Sequence, residues 1–146
     1  MIRLTEELRQ LIDTALASGT PGILATASRD GQPGVGFKGS MMVFDDDHLA
    51  YWERTRRGQL AHLLENPRVV VMFRDGGRRI GWKFFGVATV HKEGPVRERV
   101  LARTVAAELD RDPERQGYAV LIRVDRVTTT GGQVLQEREG VEVADA

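Results

Sequence analysis

The residues best suited to chemistry in this sequence are arginines that stand just before a short helical segment. Three arginines fall within the four residues 54–57. The segment 60–66 that follows carries leucines at helical spacing and ends at Pro67. Unpaired N–H groups at a helix start carry partial positive charge, and the planar arginine fork fits phosphate oxygens, so this arrangement predicts an anion-binding site. A solvated basic loop that balances the acidic run 45–47 is the alternative.

Other catalytic arrangements are scarce. The three histidines are scattered, and none stands at metal-ligand spacing with another. His48 follows the acidic run, which we interpret as a solvated hairpin turn, and no metal site is predicted. Ser40 lacks the GxSxG pattern of a nucleophile elbow, and the absence of cysteine excludes thiol catalysis and disulfides. No catalytic side chain is assigned from the sequence.

Adjacent aromatic residues give a second indication of a ligand. Tyr51 and Trp52 neighbour each other in a predicted strand, so one is expected to face the core and the other to face outward. A planar heterocycle would fit against an outward ring. A position in the core or at a subunit interface is the alternative, and it applies equally to the later group Trp82, Phe84 and Phe85.

Hydrophobic periodicity and turn residues predict a mainly β domain with flanking helices. An amphipathic helix is predicted from about residue 4 to 16, with Thr5 as its N-cap, and a further helix over 94–109. Strands are predicted over 22–28, 33–44, 49–53, 68–74, 78–90 and 118–127, with one more hairpin to residue 136 and a frayed tail beyond Glu137. Lys38 is placed on the same hairpin as the arginine loop. Six or more antiparallel strands joined by short turns favour a barrel or sandwich.

Composition bounds the class of protein. The 146 residues, 41% of them hydrophobic, are interpreted as a single domain over 1–146. The formal net charge is zero, which argues against general nucleic-acid binding. The sequence has no apolar run of membrane-spanning length and no signal-peptide core, so we expect a cytoplasmic protein that does not associate with membranes.

Four segments together resemble a known family. They are ATASRDGQP (25–33), GFKGSMMV (36–43), DDDHLAYWERT (45–55) and LLENPRVVVMF (63–73). Their order and spacing are similar to those of the FMN-binding split-barrel proteins related to pyridoxamine 5'-phosphate oxidase. The resemblance implies a six-stranded antiparallel split barrel that forms a homodimer and binds FMN in a groove between its subunits.

The resemblance also assigns cofactor-binding positions. Trp52 and Glu53 fall at the ring and ribityl contacts, and Arg57 and Gln59 at the phosphate contacts. The full implied set is Gly36, Phe37, Lys38, Gly39, Trp52, Glu53, Arg54, Thr55, Arg56, Arg57 and Gln59.

The sequence departs from the family pattern in two places. Gly36 and Met41 stand where the oxidases carry a strand Arg and Lys, and the arginines of the basic loop come earlier than in the family. The chain ends EGVEVADA, without the substrate-binding Arg and His of the true oxidases. The sequence is therefore nearer to the smaller relatives. This implies an FMN-dependent oxidoreductase acting on a small organic substrate, with NAD(P)H as a candidate donor; an F420-dependent reductase and a non-catalytic flavin carrier or sensor are the alternatives.

Overall fold

The computed structural model describes residues 1–143, which form an antiparallel sheet with short helices around it. The helices are α1 (Glu6–Asp13), α2 (Gln59–Glu65), α3 (Pro95–Arg103) and α4 (Ala106–Leu109). The strands are β1 (Gly22–Ala27), β2 (Pro33–Lys38), β3 (Met42–Asp45), β4 (His48–Glu53), β5 (Arg68–Asp75), β6 (Ile80–His91), β7 (Tyr118–Thr129) and β8 (Val134–Glu137).

The strand order shows why the sheet must curl. The order is β2-β1-β5-β6-β7-β4-β3, with β8 paired to the second half of β7. A flat sheet of this order would separate its two end strands by roughly 29 Å at about 4.8 Å per step. Yet β2 and β3 are joined by residues 39–41 alone, a link that reaches at most about 14 Å. The ends of the sheet are therefore drawn together into a barrel that stays split between β2 and β3, as the fold-class prediction implied.

The strand predicted over 33–44 is wrong in one respect, because the chain breaks at residues 39–41. Before the break, β2 pairs with β1; after it, β3 pairs with β4. The Ser40 hydroxyl accepts a hydrogen bond from the Trp52 N–H at 2.9 Å and donates to the Trp52 carbonyl at 3.1 Å, which fixes the turn against β4. Lys38 is consequently not on the hairpin that leads to the arginine loop. The break divides one predicted strand into β2 and β3, and the further hairpin predicted to residue 136 is present as β8, so residues 1–143 hold eight strands where the family resemblance implied six.

Two helix predictions are corrected in their length. Thr5 caps α1 as predicted, since its Oγ1 accepts from the Leu8 N–H, but α1 ends at Asp13. The helix predicted over 94–109 divides into α3 and α4. Thr104 has an extended backbone and its hydroxyl donates to the Val100 carbonyl, which ends α3 and turns the chain.

The core lies on both faces of β4. Tyr51 belongs to the main cluster inside the barrel, whereas Trp52 belongs to a second cluster that contains Val100 of α3. Their exposed fractions are 0% and 2%, so the prediction that one of the two faces outward is wrong. Helix α3 covers what would otherwise be the outer face of this strand. No helix within residues 1–143 is long and apolar enough to cross a membrane.

Candidate functional site

The predicted site residues gather where β2, β4 and the start of α2 meet. The Lys38 ammonium lies 3.4 Å from each carboxylate oxygen of Glu53, which joins the ends of β2 and β4. The Gln59 side-chain amide donates to the Leu24 carbonyl on β1 at 2.9 Å. A Cβ atom at Gly36 would lie 2.9 Å from Gln59 Oε1, so the Gln59 side chain occupies the space beside this glycine.

The Lys38–Glu53 pair is almost enclosed. The exposed fractions of the two side chains are 14% and 3%. Burial raises the pKa of the Glu53 carboxyl, and the neighbouring Lys38 charge opposes that shift only in part. Lys38 and Glu53 hydrogen-bond to each other. The Lys38 ammonium can therefore bind a ligand only through the N–H donors that Glu53 does not use.

Tyr51 lies directly beside this pair. The Lys38 ammonium is 5.3 Å from the centroid of its ring, and burial, reinforced by the Glu53 charge, raises the pKa of the phenol far above its ordinary value. The Tyr51 hydroxyl is buried and has no hydrogen-bond partner among residues 1–143. An orphaned buried donor of this kind costs about 1–3 kcal/mol unless a water or ligand atom meets it.

Arg54 is also neutralised within the protein. Its Nε donates to a Glu108 carboxylate oxygen at 3.0 Å, and the exposed fractions of the two side chains are 28% and 15%. A side chain at Gly39 would collide with the same Glu108 carboxylate and with Leu16. The turn after β2 and the start of the basic loop are therefore both packed against α4.

Trp52 is sealed by a loop that the sequence did not point to. Its indole N–H donates to Asp112 Oδ2 at 2.8 Å, and Asp112 also accepts from the Gln116 and Gly117 N–H groups. Although burial acts to raise the pKa of Asp112, these donors outweigh it and the pKa is lowered. The Arg97 guanidinium lies 4.8 Å from the indole centroid. The enclosed indole ring is not available to a cofactor. The cofactor contact implied for Trp52 therefore remains a prediction only for its backbone atoms.

The rest of the basic loop is free of such partners. Thr55, Arg56 and Arg57 are exposed, and within residues 1–143 no carboxylate pairs with either arginine. Helix α2 has only seven residues, and its N-cap Gly58 has a φ of 44° with no side-chain cap. The anion site predicted here therefore depends on the arginine side chains more than on the helix.

Strand β2 forms one end of the strand order, and its outward side chains are uncovered. Val35 and Phe37 are 74% and 72% exposed, whereas no residue of the neighbouring strand β1 is exposed. In the register, Val35 aligns with Ala25, Val70 and Phe85, and Phe37 aligns with Ile23 and Met72. The outer face of β2, β1, β5 and β6 is thus a continuous, largely apolar surface.

Sequence reasoning missed two polar contacts near the site. His62 Nδ1 lies 2.8 Å from the Thr26 hydroxyl and anchors α2 to β1. Tyr118, the first residue of β7, lies under the Arg56 guanidinium and the Lys92 ammonium. No pattern in the neighbouring sequence indicates either contact, since Thr26 and His62 are 36 residues apart and Tyr118 is likewise remote from the basic loop.

The acidic turn is more ordered than predicted. Asp45, Asp47 and His48 bring one ligand atom each within 4.8 Å of the others. His48 Nδ1 already contacts both carboxylates, and Arg138 donates to Asp47 at 3.0 Å. These internal contacts account for the cluster.

Comparison with known proteins agrees with this architecture. A family model described as pyridoxamine 5'-phosphate oxidase matches residues 4–130. A search of curated proteins found no match.

Solved structures give the same fold. HupZ from Group A Streptococcus superposes with a TM-score of 0.69 at 26% identity, covering 90% of this chain and 98% of that one. A candidate pyridoxamine 5'-phosphate oxidase from Lactobacillus delbrueckii gives 0.66 at 28% identity, covering 86% and 93%. An FMN-binding protein from Syntrophomonas wolfei gives 0.65 at 15% identity, covering 89% of both chains, which shows the fold alone. The split barrel and the match over most of the sequence place this chain in the pyridoxamine 5'-phosphate oxidase family.

Proposed function

We propose that this protein is a homodimeric flavoprotein that binds FMN at the junction of β2, β4 and α2 and exchanges electrons with a small organic substrate. The observation that carries the proposal is the contact of the uncovered edge strand β2 with α2, whose start is preceded by an arginine that forms no ion pair within residues 1–143. Gly34 and Gly36 turn one face of β2 toward α2, Val35 and Phe37 on the opposite face offer uncharged surface for a second subunit, and Arg57 offers unneutralised charge for a phosphate. An FMN-binding relative of the same fold supports the assignment.

The residues present fit FMN, although with fewer free cations than the sequence suggested. Lys38 and Arg54 are held by Glu53 and Glu108, so the phosphate contact falls to Arg57, with Gln59 two residues further along the chain. Bound FMN would supply the electron-transfer chemistry itself. The protein would bind and orient it, and the enclosed Lys38–Glu53 pair would hold a fixed positive group beside the site.

The outer face of the sheet has the character of a contact surface for a second subunit. Contiguous exposed apolar surface is the usual mark of an interaction site, and a two-fold dimer needs one self-complementary patch. The exposed Val35 and Phe37, together with the half-buried Ala25 and Val70, supply that patch, and Ala25 and Val70 line a depression of about 290 Å³. We place the homodimer contact on this face.

The two alternative functions are supported by fewer observations. For F420, the sequence offered Arg78, Arg79 and Lys83 as extra cations, but β6 is three strands away from β2 in the same protomer, and Arg78 is paired with Asp75. A flavin carrier or sensor would use the same residues as an enzyme. These readings are separated by measurement.

An absorbance titration tests the proposal. Purified protein should show a flavin spectrum, or gain one on addition of FMN, and should bind riboflavin, which lacks the phosphate, more weakly. Light scattering after gel filtration should give the mass of a dimer. Protein that binds neither FMN nor riboflavin would refute the flavoprotein assignment, and preferential binding of F420 in a parallel titration would replace FMN with the deazaflavin. Bound flavin that no common donor reduces would favour the carrier.

A further inference from the structure

A second group of cations surrounds Tyr118, outside the β2–Gln59 junction. The depression there has a volume of about 560 Å³ and is lined by Thr55, Arg56, Arg57, Leu60, Leu64, Lys92 and Tyr118. We call these residues the Tyr118 cup. They come from the basic loop, α2, the residue after β6 and the first residue of β7.

The cup holds positive charge that the protein does not balance. The Arg56 guanidinium carbon and the Lys92 ammonium each lie 5.6 Å from the centroid of the Tyr118 ring. Within residues 1–143, no carboxylate forms an ion pair with Arg56, Arg57 or Lys92, so the three positive charges around the cup are not neutralised there. Like charges gathered on one ring repel each other, so the arrangement favours binding of an anion.

The backbone keeps Arg56 in this position at a cost. Its φ of 53° lies in the left-handed region, which costs a residue with a side chain roughly 1–2 kcal/mol. Strain of this kind is found more often at binding sites than elsewhere. Here it coincides with the contact between Arg56 and Tyr118.

The remaining walls of the cup are apolar. Leu60 is buried and Leu64 is 63% exposed, and both lie beside the tyrosine. Cations on an aromatic floor next to exposed leucine suit a ligand that joins phosphate groups to a flat uncharged part. A long nucleic-acid strand would need a wider basic stripe than this protein of zero net charge provides.

The cup adjoins the proposed FMN site and shares Arg57 with it, whereas Lys92 and Tyr118 belong to the cup alone. Tyr118 pairs in register with Glu53, the residue that holds Lys38. Gln59 and His62 lie on the stripe of α2 that faces β1, whereas Leu60 and Leu64 lie on a neighbouring stripe. Two ligands are therefore accommodated on two faces of one short helix.

We propose that the Tyr118 cup binds the phosphate-bearing part of a nucleotide-like hydride donor, next to the FMN site. The role as a donor site rests on the proposed flavoprotein function, whereas phosphate binding in the cup does not. A pyridine dinucleotide phosphate and F420 share this chemistry.

Calorimetry with adenosine 2',5'-bisphosphate tests the cup, because this probe carries the adenosine, the 2'-phosphate and one of the two bridging phosphates of NADPH without its nicotinamide. Wild-type protein should bind the probe and should not bind adenosine. Lys92→Gln should lower the affinity for the probe at least tenfold, a loss of about 1.4 kcal/mol in binding free energy. The affinity of this variant for FMN should stay within twofold of wild type. Lys83→Gln, which removes an equal charge from β6, is the matched control and should bind the probe like wild type.

The possible outcomes separate the two proposals. No binding of the probe, or equal binding by wild type and Lys92→Gln, overturns the cup even if FMN binds. Probe binding that Lys92→Gln weakens, in protein that binds no FMN, supports the cup as a phosphate site and refutes the flavoprotein. Displacement of the probe by NADPH alone or by F420 alone supports the cup and identifies the donor.

Discussion

The cations around the end of β4 fall into two groups that behave differently. Lys38 and Arg54 face Glu53 and Glu108 and are partly or wholly buried with them. Arg56, Arg57 and Lys92 are exposed and meet no carboxylate in residues 1–143. Both groups look alike in the sequence as basic residues near a loop. The difference shows that the first group holds the strands together, while only the second keeps charge available for a ligand.

The largest effect is expected from breaking the enclosed pair. Lys38→Met leaves the Glu53 carboxylate buried without its partner, which should lower the free energy of unfolding by about 3–5 kcal/mol. Urea denaturation measures this change in the free energy of unfolding. The double variant Lys38→Met/Glu53→Leu removes both charges and should recover most of the loss. A single variant within 0.5 kcal/mol of wild type would contradict the structural role of the pair.

Substitutions in the exposed group should weaken ligand binding and leave the free energy of unfolding unchanged. Arg57→Ala should weaken FMN roughly tenfold to a hundredfold, because a hydrogen bond to a charged phosphate contributes about 1.5–3 kcal/mol. Riboflavin affinity should not change. Arg56→Ala, whose guanidinium lies on Tyr118, is the matched control and should weaken FMN less than threefold. Equal losses in both variants would mean that the loop acts as one diffuse charge.

Arg54 should behave as a member of the first group. Arg54→Ala is expected to lower the free energy of unfolding by about 1 kcal/mol, since the pair with Glu108 is only partly exposed. Its effect on FMN affinity should be smaller than that of Arg57→Ala. Chemical denaturation and flavin titration of the same preparation provide both numbers, and a larger loss of FMN affinity than of stability would move Arg54 into the second group.

The smallest effect concerns pH. The pKa of Glu53 is raised above its ordinary value of 4.5, so the native state holds this proton more tightly than the unfolded state. Its contribution to stability is therefore present below pH 4.5 and is lost as the pH rises through the raised pKa. Glu53→Gln cannot titrate, and the free energy of unfolding of wild type should fall relative to this variant over that window. A constant difference between the two would show that the pKa is not raised.

The fold was predictable from sequence because its signals are local. Asp-Gly turns, the apolar run of β5 and the alternation in β7 gave the strands, and Thr5 gave the start of α1. The break at residues 39–41 was missed because Ser40 is held by the main chain of Trp52, which lies far along the sequence.

The site was less predictable for the same physical reason. The arginine loop could be located from its charge, but which of its members is neutralised depends on Glu108, 54 residues beyond Arg54. The burial of Trp52 likewise depends on α3 and on Asp112. Contacts of this range leave no pattern in a neighbouring stretch of sequence.

The enclosure of Trp52 gives this protein a built-in optical reporter. The chain has two tryptophans, and Trp82 stacks on Phe73 at 6.1 Å between centroids, so Trp82→Phe leaves Trp52 as the single indole emitter. An indole held away from water by Asp112 and Gly117 should emit at short wavelength. The backbone of Trp52 lies next to the proposed flavin position, so bound flavin should quench the Trp52 emission by energy transfer. The protein would then report its own flavin occupancy without an added dye.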